Sequence, residues 1–128
     1  MTLTINGKEY VIRFGLKFLR ELDRDFNLIL ESGAPFGLGL ETKVPMLVSG
    51  CVLTLSEIIY RGTTTEKSRP KPEEIDDYID ALENVEELFT SVLDELKKHN
   101  ATGKKAATLI AEAEKTDARL KAEMEEMS

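Results

Sequence analysis

The residue types in this chain that could do chemistry are few and scattered. There is one histidine, His99, and one cysteine, Cys51. His99 follows Lys97 and Lys98 at the expected end of a helix, where a basic group complements the free carbonyls. No second histidine is available to build a metal cluster. Cys51 falls on the apolar face of a periodic run, and a thiol in apolar surroundings is inert. Gly33, Gly37 and Gly39 fit neither the dinucleotide spacing nor a phosphate loop, because no Gly-Lys-Ser/Thr follows. Glu73, Asp76, Asp80, Glu83 and Glu87 fall along one helix, but calcium loops need oxygens converging from a tight Asp-rich turn. Acids strung along a straight helix diverge, and a carboxylate pair for acid/base work needs one member buried. The expectation is a protein without catalytic residues, metal ligands or cofactors, hence not an enzyme.

The totals point the same way. A chain of 128 residues, 41% hydrophobic and 32% charged, fits one domain with a real core and some solvated segment. A lone cysteine makes no internal disulfide, which fits a reducing compartment. The opening residues lack the basic start and continuous apolar run of a signal peptide, so a soluble protein of the cytoplasm is expected. Net charge is −7, and it is unevenly placed, since residues 73–95 carry ten acids and no Lys or Arg. Such a block repels phosphate backbones, which disfavours nucleic acid as a partner. It reads either as a dock for a basic partner or as an ordinary solvated face.

The elements that would position these residues are legible in outline. Asn6-Gly7 between Thr2–Ile5 and Lys8–Phe14 is a hairpin signal, because both residues accept the positive φ of a type I′ turn. It sets Leu3 opposite Tyr10 and Ile5 opposite Lys8, with Leu3, Ile5, Tyr10 and Ile12 on one face. A helix is expected from Leu16 to Leu30 with Phe18, Leu19, Leu22, Phe26 and Ile29 buried. The run from Val44 to Gly62 repeats apolar residues at spacings of three and four and reads as one central buried helix, opened by Pro45 and closed by Gly62. It is too polar for a membrane span, since Ser49, Gly50, Thr54, Ser56 and Glu57 interrupt it. Between these two helices, Phe36-Gly37-Leu38-Gly39-Leu40 alternates large apolar residues with glycine. The segment reads either as a loop covering the core or as a surface that sticks to a partner. If one surface binds a partner, Phe36, Leu38 and Leu40 are the candidate residues.

Further on, Pro72 opens a short helix with Ile75, Tyr78, Ile79 and Leu82 on one face. Asn84 and Glu87 form a capping-box pattern before the stripe Val85, Leu88, Phe89, Val92, Leu93 and Leu96. After His99 the apolar positions thin to Leu109, Ile110, Leu120, Met124 and Met127, and Thr116-Asp117 interrupts a heptad seam. The expected architecture is α+β and mostly helical: an N-terminal β-hairpin followed by four to five helices around one central buried helix. Residues 1–98 would form the domain and residues 99–128 a charged helix that can detach from it. Open strand edges and an unsupported last helix favour a homo-oligomer.

Several stretches together resemble one family. They are Phe14-Gly15, Phe18-Leu19-Arg20-Glu21-Leu22-Asp23, Phe36-Gly37-Leu38-Gly39-Leu40, then Pro45, Leu47 and Gly50, and Ile58-Ile59-Tyr60-Arg61-Gly62-Thr63. In that order and spacing, over roughly residues 1–98, the chain resembles the tail assembly chaperones of long-tailed phages and prophages of Gram-positive bacteria. The resemblance implies a non-enzymatic assembly factor in the host cytoplasm. Such proteins bind the tape measure protein, keep it soluble, help tail tube protein gather around it, and leave before the virion is complete. Two other readings of the residues are a structural virion protein, such as a tail connector or tube component, and a small acidic regulator that binds a host protein.

Overall fold

The computed structural model describes residues 1–127. Asn6 and Gly7 take φ of 53° and 78°, and strands β1 (Thr2–Ile5) and β2 (Lys8–Val11) pair in the expected register, Leu3 with Tyr10 and Ile5 with Lys8. The apolar face of this hairpin is buried, and the chain leaves it through Ile12 and Phe14, which are also fully covered. Phe14 meets Phe18 of helix α1 (Leu16–Asp25) edge to face at 4.9 Å, so the hairpin and the first helix share a core from the outset.

Helix α1 ends earlier than the expected Leu30. Phe26 turns extended, and the Asn27 side-chain amide donates to the Arg24 carbonyl at 2.7 Å, occupying an oxygen that a longer helix would have used. The chain then forms a second hairpin, β3 (Asn27–Ile29) with β4 (Pro35–Gly37), turned through Gly33 at φ 86°. Ile29, expected inside a helical stripe, is 62% exposed on this hairpin.

The run from Val44 to Gly62 is two helices, not one. Helix α2 (Gly39–Val48) stops and α3 (Val52–Arg61) starts after a break at Ser49-Gly50-Cys51. Gly50 sits at φ 89°, with its N–H donating to the Leu47 carbonyl (3.1 Å) and the Cys51 N–H reaching back to Met46 (3.0 Å). This pair of bonds around a left-handed glycine is the Schellman stop, in which two otherwise orphaned carbonyls are satisfied. Pro45 therefore lies inside α2 rather than opening a helix, and its missing N–H leaves the Glu41 carbonyl without its helical partner. Cys51, expected on a buried face, is half-buried at the N-cap of α3, where the Thr54 hydroxyl donates to its sulfur at 3.2 Å. That hydrogen bond holds the thiol below its ordinary range.

The break lets the two halves face different neighbours. Helix α2 buries Leu40, Val44 and Leu47 beside α5 (Val85–Lys98) and α6 (Gly103–Met127). Helix α3 buries Leu55, Ile58 and Ile59 and packs on α4 (Pro72–Asp80). Expectations for α4 and α5 hold closely: Ile75 and Ile79 are buried on one, and Leu88, Phe89, Val92 and Leu96 on the other. Asn84 does cap α5, accepting from Glu86 N–H at 3.1 Å. At the start of α4 the Glu74 carboxylate accepts from Lys71 N–H at 3.0 Å and is held below the ordinary glutamate range, chiefly by that bond.

The result is an α+β, mostly helical fold with an N-terminal strand pair and six helices among the described residues. Helix α6 is continuous through Thr116 and Asp117, and its burial changes after Ile110 rather than at the His99 joint. Ala106 and Ile110 are covered by the body, whereas no described side chain beyond Ile110 is buried. No helix among the described residues is long and apolar enough to cross a membrane.

Because Gly50 is left-handed, Gly50→Val places a β-branched side chain where it costs roughly 1–2 kcal/mol. We expect the urea midpoint to fall with the m-value unchanged, whereas Ser49→Ala beside it leaves the midpoint nearly in place.

Candidate partner-binding surface

Hairpin β3–β4 stands beside α1 and is held at its base by polar contacts from that helix. Asp23 accepts the Gly39 N–H at 2.9 Å, which also places a carboxylate at the N-terminus of α2. Leu38 N–H donates to the Phe26 carbonyl at 2.9 Å, extending the ladder below the β3–β4 pair. The glycines in this stretch have a steric reason. A Cβ on Gly39 would fall 2.5 Å from Leu22 Cγ, and one on Gly37 would collide with the Asp23 side chain. Both stand where backbone presses directly on α1.

A charged lock fixes the end of α1 from beneath. Arg61, at the end of α3, pairs with Asp25 at 2.8 Å and Glu57 at 3.3 Å and donates to the Glu21 carbonyl at 3.3 Å. Glu21 also pairs with Arg69 at 3.3 Å, and Arg69 lies over the Tyr60 ring at 4.1 Å. Buried Lys43 pairs with Glu57 at 3.0 Å and sits over the Phe26 ring at 4.2 Å. The Arg61 hydrogen bond holds the Asp25 carboxyl below the ordinary aspartate range, more than burial raises it.

On this frame the three sequence-expected residues part company. Leu40 is in the core at 2% exposure, Leu38 is half-buried at the N-cap of α2, and Phe36 is 51% exposed. Phe36 stands directly across from Leu28, which is 54% exposed, and Ile29 and Leu30 beside it are exposed as well. Sequence reasoning missed Leu28, Ile29 and Leu30 by reading them as the end of a helix. The available signal was Asn27, a good helix stop, followed by three apolar residues and the turn residues Ser32-Gly33. The pleat puts Leu28 and Phe36 on one face of the hairpin. On the other face, Asn27, Pro35 and Gly37 join Leu16, Leu19, Arg20, Asp23 and Arg24 around a groove of about 450 Å³.

His99 caps α5, edge-on to Phe14 at 6.2 Å, and among the described residues no three His, Cys, Asp or Glu side chains converge as metal ligands. The hairpin offers exposed apolar side chains on a narrow support anchored to α1. The family described as phage tail assembly chaperone protein, TAC, matches residues 2–110. The chain belongs to that family. Neither a curated protein nor a solved structure matches it. The family match ends at Ile110, the last buried residue of α6 among those described.

Two outcomes separate frame from surface. Leu40→Ala is expected to cost about 2–5 kcal/mol of unfolding free energy, as deletion of a buried leucine does, whereas Phe36→Ser leaves the melting temperature nearly in place. In an NMR titration we expect the Asp25 midpoint to lie below the ordinary aspartate range, and Arg61→Gln to raise it. The depressed pKa contributes stability that is present above the unfolded-state pKa and is lost as pH falls through the folded-state value. Acid unfolding of Arg61→Gln therefore depends less on Asp25.

Proposed function

We propose that this chaperone binds the tape measure protein through the Leu28–Phe36 face of the β3–β4 hairpin and keeps it soluble while tail tube protein gathers around it. The reading is carried by one observation. In a chain of the tail assembly chaperone family, Leu28, Leu30 and Phe36 stand exposed on one face of a hairpin tied to α1, with Ile29 exposed on the other. A tape measure protein is long, helical and apolar, and its assembly factor must cover it and later release it. Magnitudes fit that task. Full burial of a leucine or phenylalanine is worth about 1.5–3 kcal/mol, and these side chains are already about half covered. A few of them offset the several kcal/mol of association cost with only a modest surplus. Binding of that strength is reversible.

The same reading makes the protein a non-enzymatic factor of the host cytoplasm that is absent from the finished virion, and one that self-associates. The acidic faces of α4 and α5 keep the complex soluble through their net charge, because their apolar stripes are turned inward.

Co-expression with the tape measure protein of the same phage tests the proposal. We expect the wild-type chain to hold it in the soluble fraction and co-purify with it. Leu28→Ser with Phe36→Ser should reduce the affinity by about tenfold or more, a loss of at least about 1.4 kcal/mol, with the far-UV spectrum unchanged. A tape measure protein that stays insoluble beside folded wild-type chain sinks the partner assignment. Full solubilisation by the double variant sinks the surface.

A further inference from the structure

Helix α1 carries a row of cations that the fold leaves unused. Lys17, Arg20 and Arg24 recur at spacings of three and four, so they share one side of the helix. Of the three, only Arg24 has an acid in reach among the described residues, Asp25 at 3.5 Å, and Asp25 is held more closely by Arg61 at 2.8 Å. The other acids of the helix are taken: Glu21 pairs with Arg69, and Asp23 accepts the Gly39 N–H. In a chain of net charge −7, this side of α1 is therefore a local positive edge. Beside the row lies the groove between α1 and the β3–β4 hairpin. Arg20 and Arg24 form its rim, and Leu16, Leu19 and Pro35 supply its apolar wall. Leu16 is 59% exposed, and exposed Ile29, paired with Pro35, continues that wall along the hairpin.

We propose that this groove docks an acidic amphipathic helix of a second partner protein, with its apolar face on Leu16 and Ile29 and its carboxylates on Arg20 and Arg24. Charge complementarity sets the sign of the occupant, and the geometry sets its form. Residues four apart on α1 stand about 6 Å apart along its axis. Carboxylates at i and i+4 of a helix lying alongside reproduce that spacing. Arginine suits the task, because its planar guanidinium can take a carboxylate through two parallel hydrogen bonds. A nucleic acid fits poorly: no aromatic ring lines the groove for a base to stack on, and the overall negative charge repels a phosphate backbone. The acid-rich helices α4 and α5 of a second copy do not supply the segment, because their apolar stripes are turned inward. The groove and the Leu28–Phe36 face lie on opposite sides of the hairpin, so the inference stands independently of the tape measure assignment.

Fluorescence anisotropy of labelled helical peptides added to the full chain tests this. The probe is a peptide of about 20 residues, long enough to hold a helix, with Leu along one face and Glu at i and i+4 beside it. Two counterparts carry Gln or Lys in place of Glu. We expect the Glu peptide to bind, less tightly at high salt, and the Gln peptide to bind about tenfold more weakly. Arg20→Glu with Arg24→Glu should lose the Glu peptide and gain the Lys peptide, a reversal that an unfolded variant would not show. Leu16→Ser with Ile29→Ser changes no charge and should weaken the Glu peptide about tenfold, with the far-UV spectrum unchanged. Leu28→Ser with Phe36→Ser should leave peptide binding in place, so failure here and failure of the proposed function read out separately. A Glu peptide that stays unbound at about 1 mM protein, or binds the arginine variant equally well, overturns the inference. An oligothymidylate that displaces the peptide overturns it in favour of nucleic acid. Light scattering in which the wild-type chain associates and the arginine variant does not overturns it in favour of a second copy.

Discussion

The structure depends on a helix being stopped where its apolar pattern would have continued. Gly50 accepts a left-handed conformation that any residue with a Cβ would resist, and two backbone bonds to Met46 and Leu47 complete the stop. Without it, one straight helix would carry Leu40 through Ile59 past a single set of neighbours. With it, Leu40, Val44 and Leu47 lie with α5 and α6, while Leu55, Ile58 and Ile59 lie with α3's other neighbours, α1 and α4. The packing of α6, and hence the direction in which its exposed end leaves the body, is set by the placement of α2.

The second constraint is electrostatic. Arg61, Arg69 and Lys43 meet Glu21, Asp25 and Glu57 at the junction of α1, α2 and α3, with Phe26 and Tyr60 rings beneath two of the cations. Partly buried ion pairs contribute little net stability, because desolvation offsets much of the attraction, yet removing one partner leaves the other uncompensated. Such a cluster therefore does more for geometry than for the depth of the energy well. Here the geometry in question is the point where α1 gives way to β3. Asp25 and Phe26 are both held at that point, so the hairpin leaves the helix in one direction.

How much of this the sequence displayed depends on how local the cause is. The β1–β2 register is written in Asn6-Gly7 and the alternation around it, and α4 and α5 in stripes bounded by Pro72 and Asn84. In each case the deciding interactions lie within a few residues. Gly50 was ambiguous, because an isolated glycine in a helical pattern can be tolerated at a cost of about 1 kcal/mol or can serve as a stop. The β3–β4 hairpin was hidden for a related reason: Leu28, Ile29 and Leu30 satisfy a helical period, and only the Asn27 cap and the contacts of Phe26 make the chain extend. At Phe36 to Leu40 the pattern of large residue and glycine was visible, but its meaning was not. Gly37 and Gly39 are small because Leu22 and Asp23 lie against them, and that contact joins residues far apart in the chain. Hence Phe36, Leu38 and Leu40 looked equivalent, and the fold separates them into exposed, half-buried and core positions.

That separation bears on how a small protein can present apolar residues without losing its fold. An apolar side chain on the outer face of a core helix competes with the inner face, since a rotation of the helix exchanges the two. The β3–β4 hairpin removes that choice. Its attachments to the body are directional: the Asp23 carboxylate on Gly39 N–H, the Phe26 carbonyl on Leu38 N–H, and glycine backbone against α1. None of them requires Leu28 or Phe36. The exposed apolar residues of the hairpin are thus held by polar contacts, while the apolar core lies elsewhere. The proposed binding face can therefore be covered or uncovered without disturbing what keeps the chain folded.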